Sequence, residues 1–300
     1  MLETLEYFLL AATILVIVAL MCDGAYLTSR KHHVRKKPKV AAGRAGEEPA
    51  DGPLIKREAR SGGRGLAWYG TAFTVVALGL VTVYLVGRMS LTGHGPFANQ
   101  HEFAVSFAWG ILAAYLYFLW RYRVRMLSLI VMPVTLGLMI YAQSLDTGIQ
   151  PLVPALQNNL LLTLHVSTAI IAYGAACVSF GGAVLYLLHD RVSKRIRVMP
   201  SKDLFDEIGY KAAVFTFPVL TIMILLGALW ADTAWGRYWG WDPKETAAFV
   251  TWLLYGAYLH ARVVRDWKGN RAAWLLIAGF IAVLFAYFGN HFFGGLHSYG

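Results

Sequence analysis

Apolar residues gather along this chain in eight runs of roughly 20, near 5–22, 66–87, 103–120, 126–145, 160–188, 212–230, 244–261 and 272–290. A helix rising about 1.5 Å per residue needs about 20 such positions to cross a bilayer core about 30 Å thick. The pattern therefore predicts an all-α polytopic membrane protein with eight transmembrane helices. The first run follows Glu3 and Glu6 rather than a basic start, and no small-residue cleavage site closes it. It reads as a span and not as a signal peptide.

Composition agrees with this pattern, because 57% hydrophobic and 15% charged residues leave too few polar side chains to wet a soluble domain of 300 residues. The net charge of +10 follows a topological rule. Of the 27 Lys and Arg, 24 follow spans one, three, five and seven, and only Arg88, Arg237 and Lys244 fall elsewhere. Short loops rich in Lys and Arg stay cytoplasmic, so both termini and the loop after span six are expected outside the cytoplasm. The run from Arg30 to Lys39 reads as a juxtamembrane anchor facing anionic lipid, and no nucleic-acid partner is expected. Residues 40–65 have no apolar period and cannot bury enough surface to order themselves. The expected organisation is a peripheral N-terminal helix (1–27), a basic flexible cytoplasmic linker (28–65) and a seven-helix core (66–300). Cys22 and Cys177 form no CxxC or CxxCH motif, which excludes thioredoxin-like chemistry and covalent attachment of haem to the chain itself.

Candidate chemistry collects on the outer side. Trp230, Trp235, Trp239 and Trp241 fall in a tryptophan-rich outer loop expected near 230–245, and Gly236 and Gly240 remove side chains that would hold a flat ligand off the backbone. Indoles also anchor proteins at membrane interfaces, but this density suits a wall for a planar ligand. His165 lies about 9 Å into span five if Asn159 caps that helix. His297 lies in the tail after span eight, on the same side. Two neutral imidazoles flanked by aromatic planes are the axial environment of a six-coordinate haem iron, whereas a structural zinc site wants four N or S ligands.

His260 stands apart, 17 residues and about 25 Å along span seven from Pro243, with no mate at its depth in this chain. It reads either as a haem ligand completed by another protein or as an interfacial histidine beside Arg262. Asp242-Pro-Lys-Glu245 matches a capping box with Pro at the first helical position, and Asn99 with Glu102 repeats the pattern at span three, so these carboxylates are read as shaping loops rather than moving protons. His94 and His101 read as solvated residues of the outer loop before span three. Arg237 and Lys244 are candidate contacts for haem propionates.

Trp235-Gly-Arg-Tyr-Trp-Gly-Trp-Asp-Pro-Lys-Glu-Thr, with Trp252-Leu-Leu-Tyr-Gly-Ala-Tyr-Leu-His260 after it, resembles the WWD signature of haem-handling proteins, specifically the CcsA (ResC) family of system II cytochrome c synthase subunits. Leu156-Gln-Asn-Asn-Leu-Leu-Leu-Thr-Leu-His165-Val and Gly295-Leu-His297-Ser-Tyr carry the same likeness, which spans residues 94 to 300. The resemblance implies that His165 and His297 ligate haem b at the outer surface. It also implies that His260 ligates haem within the membrane, opposite a histidine of a separate CcsB (ResB) subunit. The implied activity is that of a holocytochrome c synthase, a haem lyase that exports haem and joins it by thioether bonds to CxxCH apocytochrome c, supplied with thiols by a reducing protein. The implied location is a bacterial cytoplasmic membrane or a thylakoid membrane. One departure is His101, where the family usually carries Tyr. A haem-delivery protein of the CcmC or CcmF type shares a tryptophan-rich loop, but Pro-Lys-Glu-Thr and the terminal Gly-Leu-His-Ser-Tyr favour CcsA. A cytochrome b electron-transfer subunit would pair histidines on facing spans at both depths, and a transporter would use the loop as a gate without metal.

Overall fold

The computed structural model describes residues 1–29, 65–149, 152, 154–157, 159–193, 196, 199–289 and 294–297. Among them the chain is all-helical: α1 (Leu2–Ser29), α2 (Leu66–Thr92), α3 (Gln100–Tyr122), α4 (Ser128–Gln143), α5 (Asn159–Val192), α6 (Lys202–Trp235), α7 (Pro243–Val264) and α8 (Asn270–Phe288). Short 3-10 turns at Arg125–Leu127 and Pro154–Gln157 precede α4 and α5. All eight spans are long and apolar enough to cross a membrane. Most of the linker expected over 28–65, the side chain of Asn159 expected to cap α5, and tail residues 298–300 lie outside the described residues.

Local chemistry sets the helix ends. Asn99 caps α3 by accepting the Glu102 N–H at 2.9 Å, and Ser201 caps α6 by accepting the Leu204 N–H at 3.3 Å. α6 runs well past the expected 212–230. Its first turns carry Asp203, Asp206, Glu207 and Lys211, which interrupt the apolar run without interrupting the helix. At the far end it stops at Gly236, whose φ of 70° is the left-handed geometry of a C-cap. Trp230 and Trp235 consequently sit on the last turns of α6, and only Trp239 and Trp241 lie in the connecting loop.

α5 and α6 form the central pair, with α3 and α8 against α5 and α7 bridging α6 to α8. Small residues allow the close approach typical of helices in lipid. A Cβ added at Gly110 of α3 would stand 2.6 Å from the Ile170 carbonyl of α5. The first helix, set apart in sequence by the linker, lies along α2 and α4 with Leu9, Ala12, Val16 and Ala19 buried. Polar ties join it to the rest: Gln143 donates to Thr13 at 2.8 Å, Thr147 donates to Glu6 at 2.5 Å, and buried Asp23 accepts from Tyr115 and Arg125, each at 3.2 Å. At the end of α6 and α7 remote from the tryptophan loop, Arg262 grips Asp206 with two nitrogens, at 2.8 and 2.5 Å.

Nearer the loop, two ionisable residues are buried. Arg88 is a core cation, wholly buried and paired through Nε with Glu102 at 2.6 Å, with its other nitrogens donating to the carbonyls of Thr147 (2.8 Å) and Gly148 (3.3 Å). His101, expected to be solvated, is 1% exposed. Because α3 begins at Gln100, His101 falls in its first turn, where Nδ1 donates to the Ala142 carbonyl at 2.8 Å and Nε2 meets the Tyr84 hydroxyl.

Candidate functional site

The tryptophan-loop ends of α3, α5, α6, α7 and α8 enclose a mostly apolar cavity of about 480 Å³, joined by the tail through His297. That volume lies within the range of about 300–1,000 Å³ usual for cofactor and ligand pockets. Of the residues singled out from sequence, His101, His165, His297, Trp230, Trp239 and Lys244 line it, as do the capping residues Asn99 and Glu245. Trp235, Trp241, Asp242, Glu102 and Arg237 stand behind or beside it, and His260 is remote from it.

His165 reaches the cavity from α5. Its Nδ1 donates to the Met223 carbonyl of α6 at 2.8 Å, which fixes the tautomer and leaves Nε2 without a hydrogen-bond partner among the described residues. The fit depends on Gly227, since a Cβ there would approach the imidazole Cε1 to 2.7 Å. Trp230, 2% exposed, lies parallel to this ring, with centroids 6.3 Å apart and planes 8° apart.

His297 arrives from the tail and packs on the same indole, at 5.8 Å from Trp230 and 4.8 Å from Trp235. Trp230 thus stands beside both imidazoles. The Nδ1 of His297 donates to Asp242 Oδ1 at 2.9 Å, making Nε2 the nitrogen that a metal would use. Burial opposes charging His297, and this outweighs the pull of Asp242, so its pKa falls below the ordinary 6.5. Burial alone would raise the Asp242 carboxyl, but the bonds from His297 and from the Lys244 and Leu296 N–H groups bring it down to about 2. At neutral pH the pair is a carboxylate beside a neutral imidazole, the form required of a metal ligand.

The loop itself is held by Glu245, which accepts the N–H groups of Gly240 at 2.8 Å and Asp242 at 3.1 Å and completes the capping box with Asp242. Trp239 and Trp241 meet at right angles, 5.7 Å apart, and both rest edge-on against Phe249 of α7. Trp239 forms cavity wall, whereas Trp241 is 67% exposed and has φ at 56°, a left-handed geometry rare for a bulky side chain. The two loop cations part company. Lys244 lines the cavity, its ammonium 5.1 Å from the Phe103 ring centre, while Arg237 is exposed and folds back over Gly240. At span three, Asn99 caps as expected, but Glu102 divides its carboxylate between the Ala98 N–H at 2.8 Å and Arg88. His94 in the preceding loop is half-buried, its Nδ1 donating to the Gly95 carbonyl at 2.8 Å. His260 lies on the exposed face of α7, in a row with Val250, Leu253 and Val264.

This donor set fits a haem: two imidazoles with Nδ1 already committed, aromatic walls for a planar macrocycle, and one ammonium in a mostly apolar space for an acidic substituent. What sequence reading missed is the pair of contacts that aim the imidazoles. Asp242 is explained locally by its cap, and nothing in the motif signals a contact 55 residues away; the Met223 carbonyl carries no side-chain signal at all.

Fold and site together define a polytopic membrane protein with an aromatic, histidine-lined pocket at one end of its helices. Residues 98–297 match the family described as cytochrome C assembly protein. A protein of Guillardia theta named cytochrome c biogenesis protein CcsA is 34% identical over 259 residues, 78% of this chain and 86% of the relative. Proteins of the same name from Picosynechococcus sp. and Chlamydomonas reinhardtii are 34% and 38% identical, covering 79% and 74% of this chain and 89% and 65% of their own lengths. The chain belongs to the cytochrome c assembly family and serves in cytochrome c biogenesis as an integral membrane protein that handles haem.

Proposed function

We propose that this chain holds haem b in the cavity at its tryptophan loop and presents it for covalent attachment to a CxxCH apocytochrome c, as the haem-handling part of a two-subunit holocytochrome c synthase. The observation that carries this reading is the convergence of His165 and His297, from elements more than 100 residues apart in sequence, on one aromatic cavity that both line. The haem supplies two vinyl groups, each of which takes up the S and H of one cysteine thiol as a thioether forms. The protein's share is positional. Its imidazoles fix the metal, Trp230 and Trp239 set the plane, and Lys244 pairs with a propionate, so that addition becomes effectively intramolecular once the apocytochrome docks. Product would be freed if the histidine of the CxxCH segment took the place of His165 or His297 at the haem.

In this reading the cavity faces the periplasm of a bacterial cytoplasmic membrane or a thylakoid lumen, following the distribution of Lys and Arg. A thiol-reducing protein keeps the CxxCH cysteines available. His260 is a second haem ligand on the export route, and its place on the exposed face of α7 suits ligation completed by a CcsB (ResB) subunit. The test is co-expression with such a subunit and a CxxCH apocytochrome in cells lacking their own maturation system. Haem-stained covalent product is expected, and it is expected to vanish in His165→Ala and His297→Ala. Undiminished product in both variants would remove the proposal.

A further inference from the structure

A helix cap needs one accepted N–H, yet Asp242 accepts three hydrogen bonds. Oδ1 takes the Lys244 N–H at 2.9 Å, which is the cap, and also the His297 Nδ1–H at 2.9 Å, while Oδ2 takes the Leu296 N–H at 2.6 Å. Asp242 is 5% exposed, and the tail backbone presses against its carboxylate closely: a Cβ on Gly295 would collide with Asp242 Oδ2 and stand 3.0 Å from Pro243 Cδ. The opposite imidazole is held differently. His165 belongs to a long helix and gives its Nδ1 to a neutral main-chain carbonyl. His297 sits on the tail and gives its Nδ1 to an anion.

We propose that Asp242 is the positioning residue of His297: it latches the tail to the first turn of α7, sets the imidazole as the Nδ1–H tautomer, and makes His297 the stronger donor of the two haem ligands. This rests on the reading of His165 and His297 as axial ligands. Its physical basis is that a carboxylate behind a metal-bound imidazole orients the ring and raises its basicity, which a backbone carbonyl does less. One carboxylate thus both ends the tryptophan loop and holds the ligand, so the loop and the axial site share a residue.

The test uses the complex of the full chain with its partner subunit, purified with haem. Asp242→Asn keeps an N-cap of equal quality but removes the negative charge. It is expected to lose haem to a competing haem-binding protein about 10- to 100-fold more readily, to shift the haem midpoint potential upward, and to leave the thermal unfolding of the haem-free complex in place. In a His297→Ala background, where the imidazole is gone, Asp242→Asn is expected to change neither retention nor potential further. Wild-type retention and potential in Asp242→Asn would overturn the proposal. So would an equal loss in the His297→Ala background, which would mean that the carboxylate serves the loop alone. If His165→Ala and His297→Ala both keep haem as the wild type does, the ligand assignment itself fails and this inference with it.

Discussion

His101 and His165 each stand near the tryptophan-loop end of a helix, each borders the cavity, and each gives its Nδ1 to a main-chain carbonyl at 2.8 Å. They differ at the second nitrogen. The Nε2 of His101 is met by the Tyr84 hydroxyl, inside a cluster where Arg88 and Glu102 also satisfy one another. That of His165 has no such partner among the described residues. A buried polar cluster with every group paired stiffens a fold, whereas an imidazole with one nitrogen held and the other offered to a cavity is a ligand in waiting. Both histidines border the cavity and commit Nδ1 in the same way, so neither feature decides between strut and ligand. The partner list does.

The sharpest break of this comparison is His165→Ala, expected to bring haem-stained cytochrome to background while the chain accumulates normally on an immunoblot; a matching fall in chain abundance would place His165 with the struts. Arg88→Ala leaves the Glu102 carboxylate buried without its cation, at a cost of about 3–5 kcal/mol. It should be read as a large drop in the melting temperature of the solubilised protein with an unchanged Soret band per folded molecule. His101→Phe should behave alike on a smaller scale, about 1–3 kcal/mol for the stranded Tyr84 hydroxyl and Ala142 carbonyl, with the haem spectrum again unmoved. Lys244→Gln should act on the other side of the divide, weakening haem retention about tenfold, or about 1.4 kcal/mol, with the melting temperature of the haem-free protein kept. Arg237→Gln, on an exposed side chain off the cavity, should stay within about 0.5 kcal/mol of wild type in both assays.

The eight spans were legible because the bilayer imposes one strong demand, an apolar length, and the chain meets it eight times. The reading fell short where a helix continued through polar residues, as α6 does across Asp203, Asp206 and Glu207, since those turns lie beyond the apolar stretch. Within the site, His165 stood out by its depth in a span, Trp230 and Trp239 by the density of indoles, His297 by its place in the outer tail and Lys244 as a rare outer cation, and the structure places all five around one cavity. The Tyr84, Arg88, His101 and Glu102 cluster stayed hidden because His101 reads as a loop histidine and Glu102 as a capping glutamate, while Tyr84 and Arg88 carry no local signal of pairing. Only the packing of α2 against α3 shows that they belong together.

Trp241 holds its backbone at φ 56°, where a large L-residue is disfavoured by about 1–3 kcal/mol and glycine is at ease. Glycines already occupy positions 236 and 240 of the same connection. A chain selected only for the shape of this bend would drift toward a third glycine and gain stability. The indole instead rests edge-on against Trp239 and Phe249 and keeps most of its surface outward, so the strain at position 241 serves contacts that glycine cannot make. Thermostabilising substitutions sought in this protein will tend to find position 241 early and lose activity by taking it.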